Sequence, residues 1–470
     1  MSLVTVILAA GKGTRMKSRL AKVLHRAAGL PLINYSIDLA RTVGAARIVC
    51  VLGHQHEQVA AAIEERFGAG AVDVVLQLEQ RGTGHAVQQA APILAAQPPG
   101  ARALLLYGDT PALTQPMLAR LCAAADATLA MVTVELASPT GYGRVVRDEA
   151  GAVLRVVEEK DCTAAERDID EVNAGIYCVD VKFLLRALAD LSPNNAQGEL
   201  YLTDVVARAA TEGTIVTVEA DPDEVMGVND RVDLDRADRT LRRRAAERLM
   251  RAGVTIRQPE SCRIDATVTV GEDSEIGSGV QLLGRTHVGA NVQIDTGCVI
   301  TDATIADGAH VKPYSVVSES VIGAAAQVGP FAHLRPGTRL GKKVKIGNFV
   351  ETKKAFFDEG AKASHLSYLG DCEIGKDVNI GCGTITCNYD GFEKFKTVIE
   401  EGAFIGSDTQ LVAPVRVGAG AIVGAGTTVS KDVPPGALAL TRPDTRHVAG
   451  YAERKRKLRE AKQKPGTPGA

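Results

Sequence analysis

An aliphatic side chain returns at every sixth position through much of the C-terminal half of the chain. Ile264, Val270, Ile276, Leu282, Val288, Ile294 and Ile300 keep this spacing without a gap. Aliphatic residues fill about a quarter of positions, so seven successive hits have odds on the order of one in ten thousand per frame. The register skips once and resumes at Ile305, Val311 and Val317. It skips again and runs through Ile322, Val328, Leu334, Leu340 and Ile346, and a last run holds Ile399, Ile405, Leu411, Val417, Val423 and Val429. Glycine often follows the aliphatic residue, as in Val270-Gly271, Ile276-Gly277 and Ile405-Gly406. A β-sandwich would not hold a six-residue phase for so long. A parallel β-helix does: each unit is a short strand plus a turn, three units make a triangular coil, and the aliphatic side chains stack inside the prism. Glycine supplies the backbone freedom needed at corners.

Composition agrees with two unlike halves. Of 47 glycines, 29 lie from Gly253 onward, a density that excludes a helical C-terminal half. The N-terminal half alternates apolar runs with alanine-rich segments. Val4 to Leu8, Ile48 to Leu52, Val72 to Leu76, Ala103 to Leu106 and Thr128 to Val134 read as buried strands. Pro31 to Thr42 and Glu57 to Phe67 have helical spacing. That alternation predicts a mostly parallel sheet with helices on both faces, a Rossmann-like α/β domain over residues 1–229. In residues 230–252, Leu234, Ala237, Leu241, Ala245 and Leu249 fall three or four apart, which predicts one amphipathic connecting helix. The β-helix is expected over 253–450, and 451–470 reads as a basic, disordered tail.

The net charge of -2 argues against a general nucleic-acid or membrane-surface binder. No apolar run approaches 18 residues, so no membrane-inserted helix is expected. The apolar run Leu3 to Ala10 is too short for a signal peptide, and nine cysteines without a CxxC pair do not read as a disulfide framework or zinc site. A reducing, cytoplasmic setting is the expectation.

Two regions hold candidate chemistry. The six-residue phase fails from Ile346 to Tyr368 and again from Thr386 to Ile399. Insertions in a rigid solenoid are expected to become loops, and these stretches carry Lys353, Lys354, His365, Tyr368, Asn388, Tyr389 and Asp390. Histidine suits a general base near neutral pH, which makes His365 a candidate, while His54 and His56 read as surface residues. In the N-terminal half, Leu8, Ala9, Ala10, Gly11, Lys12, Gly13, Thr14, Arg15 and Met16 follow the first strand directly. A glycine-rich turn there can cradle phosphate with Arg15 adding charge, although the string is neither a dinucleotide fingerprint nor a Walker loop. Tyr107, Gly108 and Asp109 close another strand at the carboxyl edge of the sheet, where open α/β folds bind ligands. Asp109 is a plausible oxygen ligand for Mg²⁺, and a helix N-cap is the competing reading. Gln77 to Gly84 offers amides and flexible backbone for reading a base.

These strings resemble the sugar-nucleotide pyrophosphorylases. Together with the hexapeptide half, the chain closely resembles the family of bacterial bifunctional N-acetylglucosamine-1-phosphate uridyltransferase/glucosamine-1-phosphate acetyltransferases. The strings that carry the likeness are Leu8 to Met16, Gln77 to His85, Phe331 to Pro336 and His365 through Gly391. Ala21 departs from the pattern, standing before Lys22 where the family usually has proline.

The resemblance implies a left-handed β-helix. It also implies that Leu8, Ala9, Ala10, Gly11, Gln77, Gly82, Thr83, Tyr107 and Gly108 surround the uridine nucleotide, with Arg15 and Lys22 neutralising triphosphate. By the same likeness, Gly143, Glu158 and Asn173 would bind N-acetylglucosamine, and Asp109 and Asn229 would hold Mg²⁺. In the second half, His365 would be the base, and Arg335 and Lys353 would bind the sugar phosphate. Tyr368 and Asn379 would fix the sugar, and Asn388 and Tyr389 would line the joint sugar and acetyl site. Ser407, Ala425 and Arg442 would contact acetyl-coenzyme A. A Cys382 or Cys387 nucleophile is an alternative, though direct transfer to an amine needs no acyl-enzyme. The implied substrates are glucosamine-1-phosphate, acetyl-CoA and UTP, and the implied assembly is a homotrimer. A single-activity nucleotidyltransferase with a purely structural β-helix is the second reading.

Overall fold

The computed structural model describes residues 2–124, 126–442 and 444–463. The chain divides into two compact units, residues 1–287 and 288–470.

The first unit is built on a nine-stranded sheet. Its strands are β1 (Leu3–Ala9), β2 (Arg47–Leu52), β3 (Asp73–Leu76), β4 (Arg102–Tyr107), β5 (Leu129–Glu135), β6 (Arg144–Arg147), β7 (Val153–Val157), β8 (Glu171–Asp180) and β9 (Ile215–Glu219). The spatial order is β9-β5-β8-β4-β1-β2-β3, with the β6/β7 pair attached to β8. Strand β1 is central and wholly buried, which explains its unbroken apolar run. Its side chains alternate between two cores. Leu3, Ile7 and Ala9 pack with Ile33 and Ile37 of α1 (Leu32–Thr42) and Val59 and Ile63 of α2 (His56–Phe67). Val4, Val6 and Leu8 pack with Leu184 and Leu188 of α3 (Val181–Ala189) and Val205 and Ala209 of α4 (Asp204–Glu212). Helices therefore cover both faces, as the alternation predicted.

Antiparallel pairings modify the parallel scheme, and β6 pairs in this way with both β7 and β8. β8 runs antiparallel to both β4 and β5. It loses register between Asn173 and Tyr177, and that irregularity lies at the carboxyl edge of the parallel strands.

Helix α5 (Arg231–Arg251) begins at Asp230, whose carboxylate accepts the amides of Val232 and Asp233 at 2.8 and 3.0 Å. It ends before Gly253, at φ 92°. Its Ala237 and Leu241 pack on Met16, Ala27, Ala28 and Leu32, so the helix is docked on the first unit along its apolar stripe. Arg242 bonds Asp238 of its own helix at 2.8 Å and Asp265, which follows an early coil strand, at 2.7 Å. The amide of Ala266 donates to the carbonyl of Ala28 at 3.0 Å. The first rungs of the coil thus belong to the same unit as the sheet.

In the second unit the coil is a stack of parallel strands. One column runs Gln293, His310, Gln327, Lys345, Lys362, Asn379, Phe404 and Ile422. Next to it, Ile294, Val311, Val328, Ile346, Ala363, Ile380, Ile405 and Val423 are buried inside the prism. Successive partners are 17 or 18 residues apart except at Asn379 and Phe404, where the step is 25. A 17-residue coil is three hexapeptides less one residue, which accounts for the skips in phase.

The two long phase failures differ. The first is not a loop. β10 (Lys345–Phe357) and β11 (Lys362–Ile374) are extended strands that turn the prism corners while pairing along their length. The aliphatic count breaks there because Thr352, Phe357 and Ala363 fill interior positions. The second is a loop, following Cys387 and closed by a bridge between Tyr389 and Lys394. The C-terminal segment also departs from expectation: Tyr451–Gln463 forms a helix, α6, in which Glu453 and Lys457 pair at 3.0 Å. Its Ala, Glu, Lys and Arg content has high intrinsic helix propensity. Residues 464–470 of the expected tail lie outside the described residues.

Candidate active sites

The first site opens at the carboxyl ends of β1 and β4. Leu8, Ala9, Ala10, Gly11, Lys22, Gln77, Gly82, Thr83, Tyr107 and Asp109 line one pocket. Arg15, Thr83, Tyr107, Asp109, Gly143, Glu158, Asn173 and Asn229 line an adjoining cavity. Gly108 departs from the expectation. Its amide donates to the Leu8 carbonyl at 2.9 Å, and a Cβ there would come within 3.1 Å of Ala9, so it serves close packing and lines neither pocket.

The glycine-rich turn has a defined job. Gly13 sits at φ 59°, and a Cβ there would come within 2.6 Å of Lys22 Cβ. Ala21 has φ -54° and ψ 137°, the backbone proline itself would take. Lys22 consequently reaches Asp109 and pairs with its carboxylate. Arg15 donates to Asn229 Oδ1 at 2.8 Å, and the Val228 amide donates to the Asp109 carbonyl at 2.9 Å, bringing both oxygen-bearing side chains to one edge. Over the turn, Gln80 donates to the Ala10 carbonyl at 2.6 Å, and Gln77 donates to the Gly82 carbonyl at 3.0 Å.

The adjoining cavity is lined by groups that hold one another. Thr203 donates to Glu158 at 3.0 Å. Burial pushes the Glu158 carboxyl above its ordinary range, partly opposed by the Thr203 bond. Asn173 donates to the hydroxyl of Tyr177 at 2.6 Å.

Asp109 and Asn229 are hard oxygen donors, and each already faces a cation, Lys22 or Arg15. The donor set fits a Mg²⁺ ion that takes its remaining ligands from phosphate and water. Among the described residues no group of three or more His, Cys, Asp or Glu side chains is placed to hold a metal, and His54 and His56 form no such site.

The second site lies on one face of the coil. At one corner His365 stands beside Asn348, with His365 Nδ1 2.9 Å from Asn348 Oδ1. An amide oxygen can only accept, so Nδ1 carries the hydrogen and Nε2 is left as the basic nitrogen. Glu351 and Tyr368 lie along the face. At the next corner Arg335 bonds Glu351 at 2.7 Å, and the adjacent Lys394 ammonium lowers the Lys353 pKa, with Arg335 adding to the effect. Asn388 donates to Asp371 at 2.5 Å, and Tyr368 and Asn388 converge over Gly370. Asn379 follows on the neighbouring face.

The register of the rungs places His365, Cys382, Ser407 and Ala425 in one column at consecutive levels. Backbone bonds from Gly383 to Leu366, Asp408 to Cys382 and Gly426 to Ser407 run along the same corner. Arg442 follows Thr441, which donates to Thr427 at 3.3 Å. Tyr389 and Arg442 are exposed. Sequence reasoning missed Asn348, Lys394, Asp371, Thr203 and Tyr177. The first four act through partners distant in the chain; Tyr177 acts through Asn173, four residues away, but only because the strand contracts between them, and no local motif marks any of the five.

A nucleotide-type α/β sheet with a cation-rich pocket, followed by a coil of hexapeptides, defines a two-domain transferase. Residues 5–169 match the MobA-like NTP transferase domain, residues 259–357 the GMPPB C-terminal domain, and residues 396–431 the bacterial transferase hexapeptide (six repeats). The chain is 51% identical over 470 residues to the "Bifunctional protein GlmU" of Sorangium cellulosum (strain So ce56), covering 98% of each chain. It is 51% identical over 457 residues to that of Trichlorobacter lovleyi (96% of this chain, 98% of the relative). It is 49% identical over 454 residues to that of Marinobacter nauticus (96% and 98%). The chain belongs to the bifunctional GlmU family. It is a bifunctional enzyme of UDP-N-acetylglucosamine synthesis, a glucosamine-1-phosphate N-acetyltransferase and an N-acetylglucosamine-1-phosphate uridylyltransferase, and its coil is a left-handed β-helix.

Proposed function

We propose that the two reactions are divided between the two residue sets described above. Acetyl transfer comes first. Its product then receives UMP from UTP with release of pyrophosphate.

In the coil, His365 Nε2 takes a proton from the amine of glucosamine-1-phosphate as the amine nitrogen attacks the acetyl thioester; the C–S bond then breaks, and coenzyme A leaves as the thiol with that proton. Asn348 holds the imidazole in the needed tautomer. Arg335 and Lys353 bind the phosphate, and the repulsion Lys353 feels from Lys394 is relieved when an anion arrives. Tyr368, Asn379, Asn388 and Tyr389 surround the sugar and acetyl group. Acetyl-CoA lies along the corner past Ser407 and Ala425, with Arg442 near its far end. Each rung rises about 4.8 Å, so Ala425 stands roughly 14 Å from the His365 level, a reach that suits the pantetheine arm.

In the sheet unit, the sugar phosphate is already an anionic nucleophile, so no strong base is needed. The obstacle is repulsion between two anions. Arg15 and Lys22 offset that repulsion and stabilise the departing pyrophosphate. Backbone amides at Ala10 and Gly11 and the Gln77–Thr83 loop hold the nucleotide. Gly143, Glu158 and Asn173 hold the sugar. Asp109 and Asn229 hold Mg²⁺, which supplies additional charge neutralisation at the phosphates.

The observation that supports this division is that each compact unit carries its own cation pair: Arg15 with Lys22, which line two adjoining pockets in the first unit, and Arg335 with Lys353, neighbours on successive rungs of the second. The decisive assay incubates the protein with glucosamine-1-phosphate, acetyl-CoA, UTP and Mg²⁺, omitting each in turn. UDP-N-acetylglucosamine should form only in the complete mixture. Omitting UTP should leave acetylated sugar phosphate. Failure to consume acetyl-CoA would favour a purely structural coil.

We further propose a homotrimeric, cytoplasmic enzyme. His365, Tyr389 and Arg442 are exposed in the single chain, which supports completion of the acetyl site by a second copy. Among the described residues no helix is long and apolar enough to cross a membrane.

A further inference from the structure

Strand β8 breaks step with β5 at the sugar cavity. Asn173 lies opposite Thr133 and Tyr177 opposite Met131, so four steps along β8 match two along β5. In an unbroken strand, residues four apart are separated by about 13 Å along the chain. Here the backbone contracts through Gly175, at φ 75°, and the Asn173 and Tyr177 side chains meet at 2.6 Å. A bulge of this kind re-aims side chains beside a site.

The orientation of the Asn173 carboxamide follows from its neighbours. The Gly175 backbone N–H donates to it at 3.1 Å, and a backbone N–H can only donate. The atom facing Gly175 is therefore Oδ1, and the atom facing Tyr177 is Nδ2. The Tyr177 oxygen accepts. Burial keeps this phenol protonated. Asn173 is 7% exposed and Tyr177 2%, so neither group exchanges its partner for bulk water at little cost. One N–H and one Oδ1 lone pair of Asn173 remain for a ligand, in a cavity of about 360 Å³ shared with Gly143 and Glu158.

We propose that Tyr177 is a positioning residue for the sugar-phosphate subsite, locking the Asn173 carboxamide so that its remaining donor and acceptor meet the hydroxyl-rich pyranose ring. This rests on the assignment of Asn173 to the sugar. A flipped amide would turn an NH₂ group against the Gly175 N–H and lose that bond. Without the Tyr177 hydroxyl, the inward Nδ2 hydrogen is buried without a partner, and the carboxamide is no longer fixed.

The test compares Tyr177→Phe, Asn173→Ala and the double variant in the full chain. Tyr177→Phe keeps the ring and removes only the hydroxyl. Its KM for N-acetylglucosamine-1-phosphate should rise about tenfold, the size expected for one buried hydrogen bond, with the KM for UTP within about twofold of the unaltered enzyme. In the Asn173→Ala background the same change should alter the sugar-phosphate KM by less than about twofold, because the group being positioned is gone. If Asn173→Ala raises that KM and Tyr177→Phe does not, the positioning role is overturned. Multiplicative effects in the double variant, or a parallel rise in the UTP KM, would also overturn it. If Asn173→Ala leaves the sugar-phosphate KM unchanged, the sugar assignment itself fails and takes the proposal with it.

Discussion

At the scale of single residues, burial and charge decide what each site can do. Glu158 is held protonated to higher pH than an ordinary glutamate, chiefly by desolvation. The native state thus binds this proton more tightly than the unfolded chain. Its contribution to stability is fully present below the ordinary carboxyl pKa and is lost as pH rises through the elevated native value. Glu158→Gln should therefore melt higher than the unaltered protein at pH 7.5, with the gap closing toward pH 4 in parallel thermal scans. Asp109→Ala should abolish uridylyl transfer while acetyl transfer survives, since the two residue sets occupy different units. Loss of both activities in a folded variant would count against separate sites. His365→Ala should lower the acetyl transfer rate at least about a hundredfold, as for removal of a general base. A normal rate would exclude that role. Residues within compact motifs, such as Arg15 or Asp109, could be nominated from sequence because neighbours in the chain mark them. Asn348 could not, because its partner His365 is one coil away.

At the scale of elements, the departures from regularity fall where ligands are expected. The β8 bulge needs Gly175: a Cβ there would lie 2.5 Å from the Tyr107 ring, at a backbone angle that L side chains rarely adopt. Gly175→Ala should destabilise the first unit by about 1–3 kcal/mol and depress uridylyl transfer, leaving acetyl transfer intact. Calorimetry with both assays checks this. The antiparallel course of β8 was not legible because a buried strand reads as an apolar run in either direction. The continuous strands β10 and β11 were hidden for a related reason. The interior column there is filled by Thr352, Phe357 and Ala363, which an aliphatic count does not register. The loop after Cys387 was legible, since seven or eight additional residues in one coil must leave the prism.

At the scale of the whole molecule, the uneven glycines and six-residue phase were enough to separate an α/β part from a coil. The position of the compact-unit boundary was not, because long-range polar contacts join the early rungs to the sheet. Arg242 bonds Asp238 and Asp265 at once, and all three side chains are largely buried. Arg242→Ala strands two carboxylates and should cost about 3–5 kcal/mol in the first unit's unfolding free energy. Sedimentation should show three chains per particle, and a monomer with full acetyl transfer would contradict the proposed assembly.

On the proposed placement of acetyl-CoA, the column that carries His365, Cys382, Ser407 and Ala425 would impose a discrete metric on the acetyl donor. Separations along that corner can change only by whole storeys of about 4.8 Å, because a partial insertion is expelled as a loop and leaves the stack in step. Duplicating one complete coil between Cys382 and Ser407 should therefore preserve folding while moving the thioester one storey away from the imidazole. The scaffold tolerates lengthening, but the chemistry mounted on it is calibrated to a fixed number of floors.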